Sequence, residues 1–449
     1  MEKIKLLLST LAAAACVGGA CAQGRVWSLD ECMAYAAEHG NAVAQARWDL
    51  VGAKAEYANA VGNFLPSVSA QTAAQFSWGR NIDPETNTYN NVTTFNNGYG
   101  LYASLTLFDG GQTYNNWRLA RAERERSRNA IDMRRDDCAI SAMMAYADAA
   151  YYLGAIAIAE DKAAQSEALL SLTLRQEELG MMGAPDVAQA RASHSDDLYN
   201  LTHQRNVYQQ SMLTLRSALN LPDSMTLAVD TAWLETEYLT YDLPVSVGDI
   251  CAYAMANNPL AIEAEKLVES ARYRYRSAQG TLWPTISLSG GISTSFYRVL
   301  GSGVTFPPFG EQFRNNRGEY VQVNFSLPLF DNLWRSSSAR RAKANWEIAK
   351  SQRDESLRKL RDDIALAVLD RDGYATEIAA LTDKLEADYT AYRLNLRKYE
   401  EGLLSLIDLQ LSANTYYASR LALLQKQTLY MLKDKLVNYY KGEPLWTLK

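Results

Sequence analysis

Cysteine is scarce in this chain, with five in 449 residues. Cys16 and Cys21 fall in the first 22 residues, which leaves Cys32, Cys138 and Cys251. An odd, widely spaced set provides no disulfide framework, and Cys32 and Cys251 read as small buried residues. Histidine occurs three times, as His39, His194 and His203, without ligand spacing, so no metal centre is expected. No Gly-x-x-x-x-Gly-Lys-Ser/Thr, Gly-x-Ser-x-Gly or His-Glu-x-x-His pattern occurs, so neither an enzyme nor a cofactor is expected. Lysine and arginine number 45 against 51 aspartates and glutamates. That balance excludes a nucleic-acid partner, whose binding depends on neutralising phosphates. Beyond residue 22 no run of 18 apolar residues remains, so no transmembrane helix is expected. Proline is missing from two stretches of about seventy residues, 110–181 and 332–401, which leaves them free to be single helices.

The first segment present is a leader. Lys3 and Lys5 precede an apolar run from Ile4 to Val17, and Ala20-Cys21-Ala22 is a small-x-small cleavage site before Gln23. Residues 1–22 therefore read as a signal peptide, with lipidation at Cys16 or Cys21 as the second reading. Cleavage takes the formal charge from −6 to −7, because Lys3 and Lys5 outweigh Glu2 by one.

The rest of the chain is a long duplication. Ser28-Leu29-Asp30-Glu31-Cys32 is echoed by Ser246-Val247-Gly248-Asp249-Ile250-Cys251. Pro66 returns as Pro284, Leu107-Phe108-Asp109 as Leu329-Phe330-Asp331, and Gly180 with Asp186 as Gly402 with Asp408. The offset is 218 at the proline and 222 afterwards, so the second copy carries four extra residues between them, assigned to the loop 298–316. The first repeat, 23–230, reads as helix 28–63, strands 66–80 and 97–108, long helix 110–181 and helix 184–219. The second, 231–449, reads as helix 246–280, strands 284–297 and 317–330, long helix 332–401 and helix 405–440.

The helix starts are capped, Ser28 by a capping box with Glu31. Pro66 and Pro284 force an extended residue before them and mark helix-to-strand junctions. Asp109 and Asp331 are N-caps at the strand-to-helix junctions. The strands alternate with period two. Val68, Ala70, Thr72, Ala74, Phe76 and Trp78 share one face, and Ser67, Ser69, Gln71, Gln75 and Ser77 the other. About ten residues each is the length of a tilted strand across a bilayer, and aromatics at both ends resemble interfacial girdles. A soluble sandwich with one wet face is the alternative. Each long helix would reach about 105 Å. A heptad-like seam from Ile378 through Tyr392 to Tyr399 indicates lengthwise helix packing. In each repeat the two shorter helices together nearly match the long one in length, so they are expected to stack end to end beside it. Four strands cannot close a barrel, so several copies must share one: two chains would give eight strands, three would give twelve.

The tip segment Tyr399-Glu400-Glu401-Gly402-Leu403-Leu404-Ser405-Leu406-Ile407-Asp408-Leu409 and its looser partner from Leu179-Gly180 to Asp186-Val187 complete the pattern. With them the chain resembles the TolC family of bacterial outer-membrane efflux proteins over Gln23 to Lys449. The resemblance implies a mainly α fold with a small membrane β part. Long antiparallel hairpins would form a periplasmic α-barrel, and four strands per chain a trimeric twelve-stranded outer-membrane β-barrel. It implies a homotrimer in the outer membrane that works with a periplasmic adaptor and an inner-membrane pump of resistance-nodulation-division or ABC type. The implied role is the passive exit duct of a tripartite efflux or secretion system, with type I protein secretion as an alternative. A secreted coiled-coil scaffold that transports nothing is the alternative of another class.

The resemblance also implies a gate at the tips, made by Gly180, Asp186, Val187, Tyr399, Gly402, Ser405 and Asp408. Asp186 and Tyr399 fall on linking positions and Asp408 on an acidic-ring position. Leu404 replaces a linking arginine and Leu411 a second aspartate. For Asp186 and Asp408 a second reading stands beside the gate: a carboxylate at a helix start is favoured by the helix dipole.

Overall fold

A computed structural model describes residues 26–82, 87–230, 246–300 and 305–446. The leader 1–22, with Cys16 and Cys21, lies outside the described residues. The first repeat runs β1 (Val26–Trp27), α1 (Leu29–His39), α2 (Asn41–Gly62), β2 (Ser67–Ile82), β3 (Tyr89–Phe108), α3 (Gln112–Glu178), α4 (Ala184–Leu219) and β4 (Ala228–Val229). The second runs α5 (Val247–Asn257), α6 (Pro259–Gly280), β5 (Thr285–Leu300), α7 (Phe309–Asn315), β6 (Gly318–Ser326), α8 (Trp334–Glu400) and α9 (Leu406–Lys441). The long helices α3 and α8 have 67 residues each, about 100 Å.

Four expectations need correction. Helix 28–63 is two helices, broken where Gly40 turns extended (φ −61, ψ 134). A Cβ at Gly40 would stand 2.6 Å from Cys138 Sγ, so glycine is required by close approach. Helix 246–280 is likewise broken at Asn258 (φ −69, ψ 133), because Pro259 disfavours the α region before it. The Asn258 Oδ1 accepts the Leu260 N–H (2.9 Å) and restarts the helix.

Third, the strands are not all about ten residues long. β2 and β5 have 16, β3 has 20 and β6 only nine. β6 stops at Ser326, two residues before Pro328, which has no N–H for a ladder. The loop 298–316 holds the helix α7 instead of being loop throughout. Fourth, the shorter helices do not simply abut. α1 overlaps the C-terminal end of α4, where Cys32 and Ala36 pack with Leu215 and Leu219.

Two compact units divide the chain, and they do not follow the repeats. One takes the described residues of Met1–Arg47, Ala130–Ala261 and Leu357–Lys449, the other Trp48–Asn129 and Ile262–Ser356. The first unit is helical. The Tyr146 hydroxyl is buried between the carbonyls of Trp27 (3.0 Å) and Asp230 (2.9 Å), fixing the β1–β4 pair to α3. Around it Ala142, Ala145, Ala149 and Ala150 let helices approach closely. α3 contains one segment apolar enough to cross a membrane, half of it buried, and its buried alanines serve this core.

Asp136 of α3 accepts from Tyr439 Oη (2.7 Å) and Trp446 Nε1 (3.0 Å), and Asn258 Nδ2 donates to the same Tyr439 Oη (3.0 Å). The end of the second repeat is thereby tied to the first. Burial pushes the Asp136 carboxyl above the ordinary carboxylate range, against those two hydrogen bonds.

The second unit holds an antiparallel sheet in the order β2-β3-β5-β6. Its register puts Val68, Ala103, Gly290 and Val321 in one row, and Leu105, Leu288 and Val323 in another, all on one face. The opposite face carries the rows Ser67, Ser104, Ser289, Gln322 and Ser69, Tyr102, Gly291, Tyr320. A Cβ at Gly291 would lie 2.7 Å from the Tyr102 ring and 2.8 Å from the Tyr320 ring, so this glycine makes room for both. β2 and β6 are open edges within the chain.

Candidate functional site at the hairpin tips

α3 and α8 end in the same way. Gly180 (φ +73) donates its N–H to Glu177 O (2.9 Å), and Met181 to Gln176 O (2.8 Å). Gly402 (φ +74) donates to Tyr399 O (2.9 Å), and Leu403 to Lys398 O (2.7 Å). Both are Schellman caps, and the left-handed backbone is why glycine stands at both positions.

The returning helices start differently. The α9 N-cap is Ser405, whose hydroxyl accepts from Asp408 N–H (3.2 Å) and donates to Asp408 Oδ2 (2.6 Å). The α4 N-cap is Gly183, which has no side chain; the Asp186 carboxylate accepts the Gly183 N–H instead (3.2 Å). Both aspartates therefore occupy helix-capping positions, with Asp408 exposed and Asp186 half-buried.

Between the hairpins lies a small core. Ala190, Tyr399, Leu406 and Leu409 are buried, with Leu396, Met182 and Leu404 packed on them. Val187 is buried as well. The fully buried Thr173 donates its hydroxyl to Leu169 O (2.9 Å), so Tyr399 Oη is the donor in the 2.9 Å bond to Thr173 Oγ1. This bond joins α8 to α3. Gln189 and Gln410 bridge α4 and α9 (3.4 Å). Farther along, Arg420 pairs with Asp161 and stacks over Tyr416 (5.6 Å) and Tyr417 (5.7 Å).

Within the protomer, Asp186 accepts the Gly183 N–H of its own helix start, and Tyr399 reaches across to Thr173 of the other hairpin. Leu404 adds apolar contact to the tip core. Leu411 is exposed and contributes no charge. No local sequence pattern marks Thr173, Asp161 or Arg420, whose partners are 226 and 259 residues away in the chain. The junction residues hold their helix starts: Asp109 Oδ2 accepts the Thr113 N–H (2.7 Å), and Asp331 Oδ2 the Arg335 N–H (3.1 Å). Pro66 and Pro284 each stand one residue before a strand. Among the described residues no cluster of His, Cys, Asp or Glu is arranged to hold a metal.

A family model described as "Outer membrane efflux protein" matches residues 35–221 and 252–432, one match in each repeat. "Outer membrane efflux protein BepC" of Brucella suis biovar 1 (strain 1330) is 26% identical over 336 residues, covering 73% of this chain and 68% of that protein. "Outer membrane protein TolC" of Salmonella enteritidis is 24% identical over 303 residues, covering 65% of this chain and 58% of that one. Against the second relative, then, the match spans less than two thirds of the relative's length. The fold is similar to solved structures of CusC (TM-score 0.78, 16% identity, 94% and 95% of the two chains) and of VceC from Vibrio cholerae (0.77, 17%, 93% and 96%). By name these relatives are outer-membrane proteins, BepC an efflux protein among them, and the CusC structures concern transmembrane channel formation. The chain is a member of the outer membrane efflux protein family, placed in the outer membrane with a periplasmic extension.

Proposed function

We propose that three copies of this chain form the passive exit duct of a tripartite efflux or secretion system. The observation that carries the reading is the sheet: four strands, one apolar face, one face of Ser, Gly, Gln and Tyr, and two open edges. Open edges in lipid leave backbone groups unpaired at a cost of several kcal/mol each, so the edges must be closed by further copies. Twelve strands leave a lumen, whereas eight are filled by side chains. The small polar face then lines the lumen and the apolar face meets lipid.

The hairpin tips are the periplasmic gate in this reading. Tyr399 with Thr173 and Arg420 with Asp161 hold the two hairpins of a protomer together, and a periplasmic adaptor and an inner-membrane pump of resistance-nodulation-division or ABC type open them. Each inward tip residue becomes a ring of three, so Asp408 would form a ring of carboxylates that selects cations. Protein export by a type I system uses the same duct. The scaffold reading gives no reason for strands of 16 and 20 residues with an exposed apolar face.

The test is fractionation with electrophoresis. A trimer that dissociates on heating, recovered in the outer membrane and conducting in planar bilayers, is the expected result. A soluble periplasmic monomer would contradict the reading.

A further inference from the structure

The fourth strand of the sheet is too short for its neighbours. β6 begins at Gly318, paired with Ser293, while β5 continues to Leu300. On the side away from β3, the edge of β5 from Thr294 onward therefore has no strand beside it among the described residues. α7 occupies that place with side chains. Gln312, itself buried, accepts the Tyr297 N–H (3.0 Å) and donates to the Tyr297 carbonyl (3.0 Å). Asn316 Nδ2 donates to Ser295 O (2.8 Å), and Thr294 Oγ1 to Phe313 O (2.7 Å). The Gln312 amide meets the edge as a peptide group of a neighbouring strand would, offering one donor and one acceptor.

The same helix continues a row of rings. Phe76 of β2 packs on Phe95 of β3 (centroids 4.7 Å apart), and Phe95 on Phe296 of β5 (6.2 Å). All three are on the apolar face by register. The place a longer β6 would fill is taken by Phe309, 5.5 Å from Phe296, and by Phe313, 5.6 Å from Phe309. Both rings are only half covered, at 46% and 42% exposed, while Glu311 and Arg314 of the same helix point to solvent. A row of half-covered aromatics ending an apolar strand face, with charges beside it, is the composition of a membrane–water interface.

We propose that α7 is an interfacial membrane anchor that replaces the outer half of the fourth strand: Gln312 and Asn316 close the edge, and Phe309 and Phe313 rest at the headgroup boundary of the lipid. The occupant of the Phe309–Phe313 face is lipid and not a second copy, because that face is continuous with the apolar face of the sheet. A second copy adds along the open edge of β6, not on the aromatic face of α7. The proposal rests on the sheet lying in the membrane, as proposed above.

The test places an environment-sensitive fluorophore on Phe313→Cys or on Leu101→Cys of the sheet face, each in a Cys138→Ser background. Cys32 and Cys251 are buried, and the unsubstituted background controls for their labelling. Gly310→Cys is a second reporter one turn earlier on the same face of α7, where a Cβ would meet no atom within 4 Å. The trimer is reconstituted in phosphatidylcholine vesicles spin-labelled at carbon 5 or carbon 12 of the acyl chain. At Phe313 the expected result is stronger quenching by the shallow label than by the deep one, with protection from aqueous iodide. At Leu101 lipid quenching is expected from either label.

Iodide quenching at Phe313 as in free solution would overturn the anchor, leaving α7 in water. Protection from both iodide and lipid labels would also overturn it, assigning the face to a second copy. Loss of lipid quenching at Leu101 itself would instead refute the membrane placement of the sheet, and the anchor with it.

Discussion

The joint between strand and long helix is built twice, and its two copies reach one backbone by different residues. In the first repeat Gly110 and Gly111 take the left-handed region, at φ +69 and +82. At the same offset of 222 in the second repeat, Asn332 and Leu333 take it, at φ +55 and +64. A Cβ at Gly110 would stand 2.2 Å from Gly280 O, so that position leaves no room for a side chain, while at Gly111 the nearest atom would be 3.6 Å away. The second has room and tolerates strain: leucine at positive φ costs about 1–2 kcal/mol. The duplication thus preserves the backbone path, while each copy solves it with its own side chains.

The helix breaks tell the same story. Around Gly40 the first repeat uses Asn220, whose Nδ2 donates to His39 O (3.2 Å). At the other break the Asn258 side chain is held by Tyr439, and Tyr439 by Asp136 of the first repeat.

The largest effect is expected on the sheet, where both repeats must contribute alike. Leu105→Arg and its cross-strand partner Leu288→Arg should each block outer-membrane assembly, since Arg on a lipid face costs about 2–4 kcal/mol at the midplane. Normal trimer yield from either would refute the register.

Asp136→Ala comes next. It leaves Tyr439 and Trp446 without their acceptor and should cost about 1–3 kcal/mol in denaturant unfolding. Asn220→Ala, at an exposed site, should cost less, and equal costs would remove the asymmetry between the breaks. A pH series sharpens this. The folded state binds the Asp136 proton more readily than the unfolded chain does. Its contribution to stability therefore rises as pH falls through the raised folded value, and levels off below the ordinary carboxylate range. Asp136→Asn should flatten that rise.

At the joints, Gly110→Ala should destabilise by at least about 1–2 kcal/mol. Leu333→Gly should be neutral or mildly stabilising, because relieved strain is offset by chain entropy. Melting temperatures of the two variants decide whether the joints differ as described.

The tips give the smallest expected changes in stability. Ser405→Ala removes a side-chain cap worth about 1 kcal/mol that the first tip, with Gly183, never had. Tyr399→Phe removes one hydrogen bond worth about 0.5–1.5 kcal/mol. In the gate reading it should also raise the open fraction in bilayer recordings, and an unchanged open fraction would reduce Tyr399 to a packing residue.

Legibility in the sequence followed the physics of each feature. Pro66 and Pro284 marked the strands because proline restricts its predecessor wherever it occurs. Gly180 and Gly402 marked the tips because only the turn requires positive φ there. Asn258-Pro259 was a readable breaker inside a long helical pattern, and the period around it masked the break. Gly40 was not readable, since its requirement comes from Cys138, nearly a hundred residues away. α7 has seven residues in a loop, too few to establish a helical period. The Thr173–Tyr399 bond spans 226 residues and depends on how two hairpins pack.

A duct gated at its tips should show its gate in ion selectivity across planar bilayers, measured for the protein and for Asp408→Ala. A cation-selective channel blocked by multivalent cations, with both properties weakened by the substitution, is the predicted result. Unchanged selectivity and block would contradict it and leave Asp408 as no more than the partner of Ser405 at the start of α9.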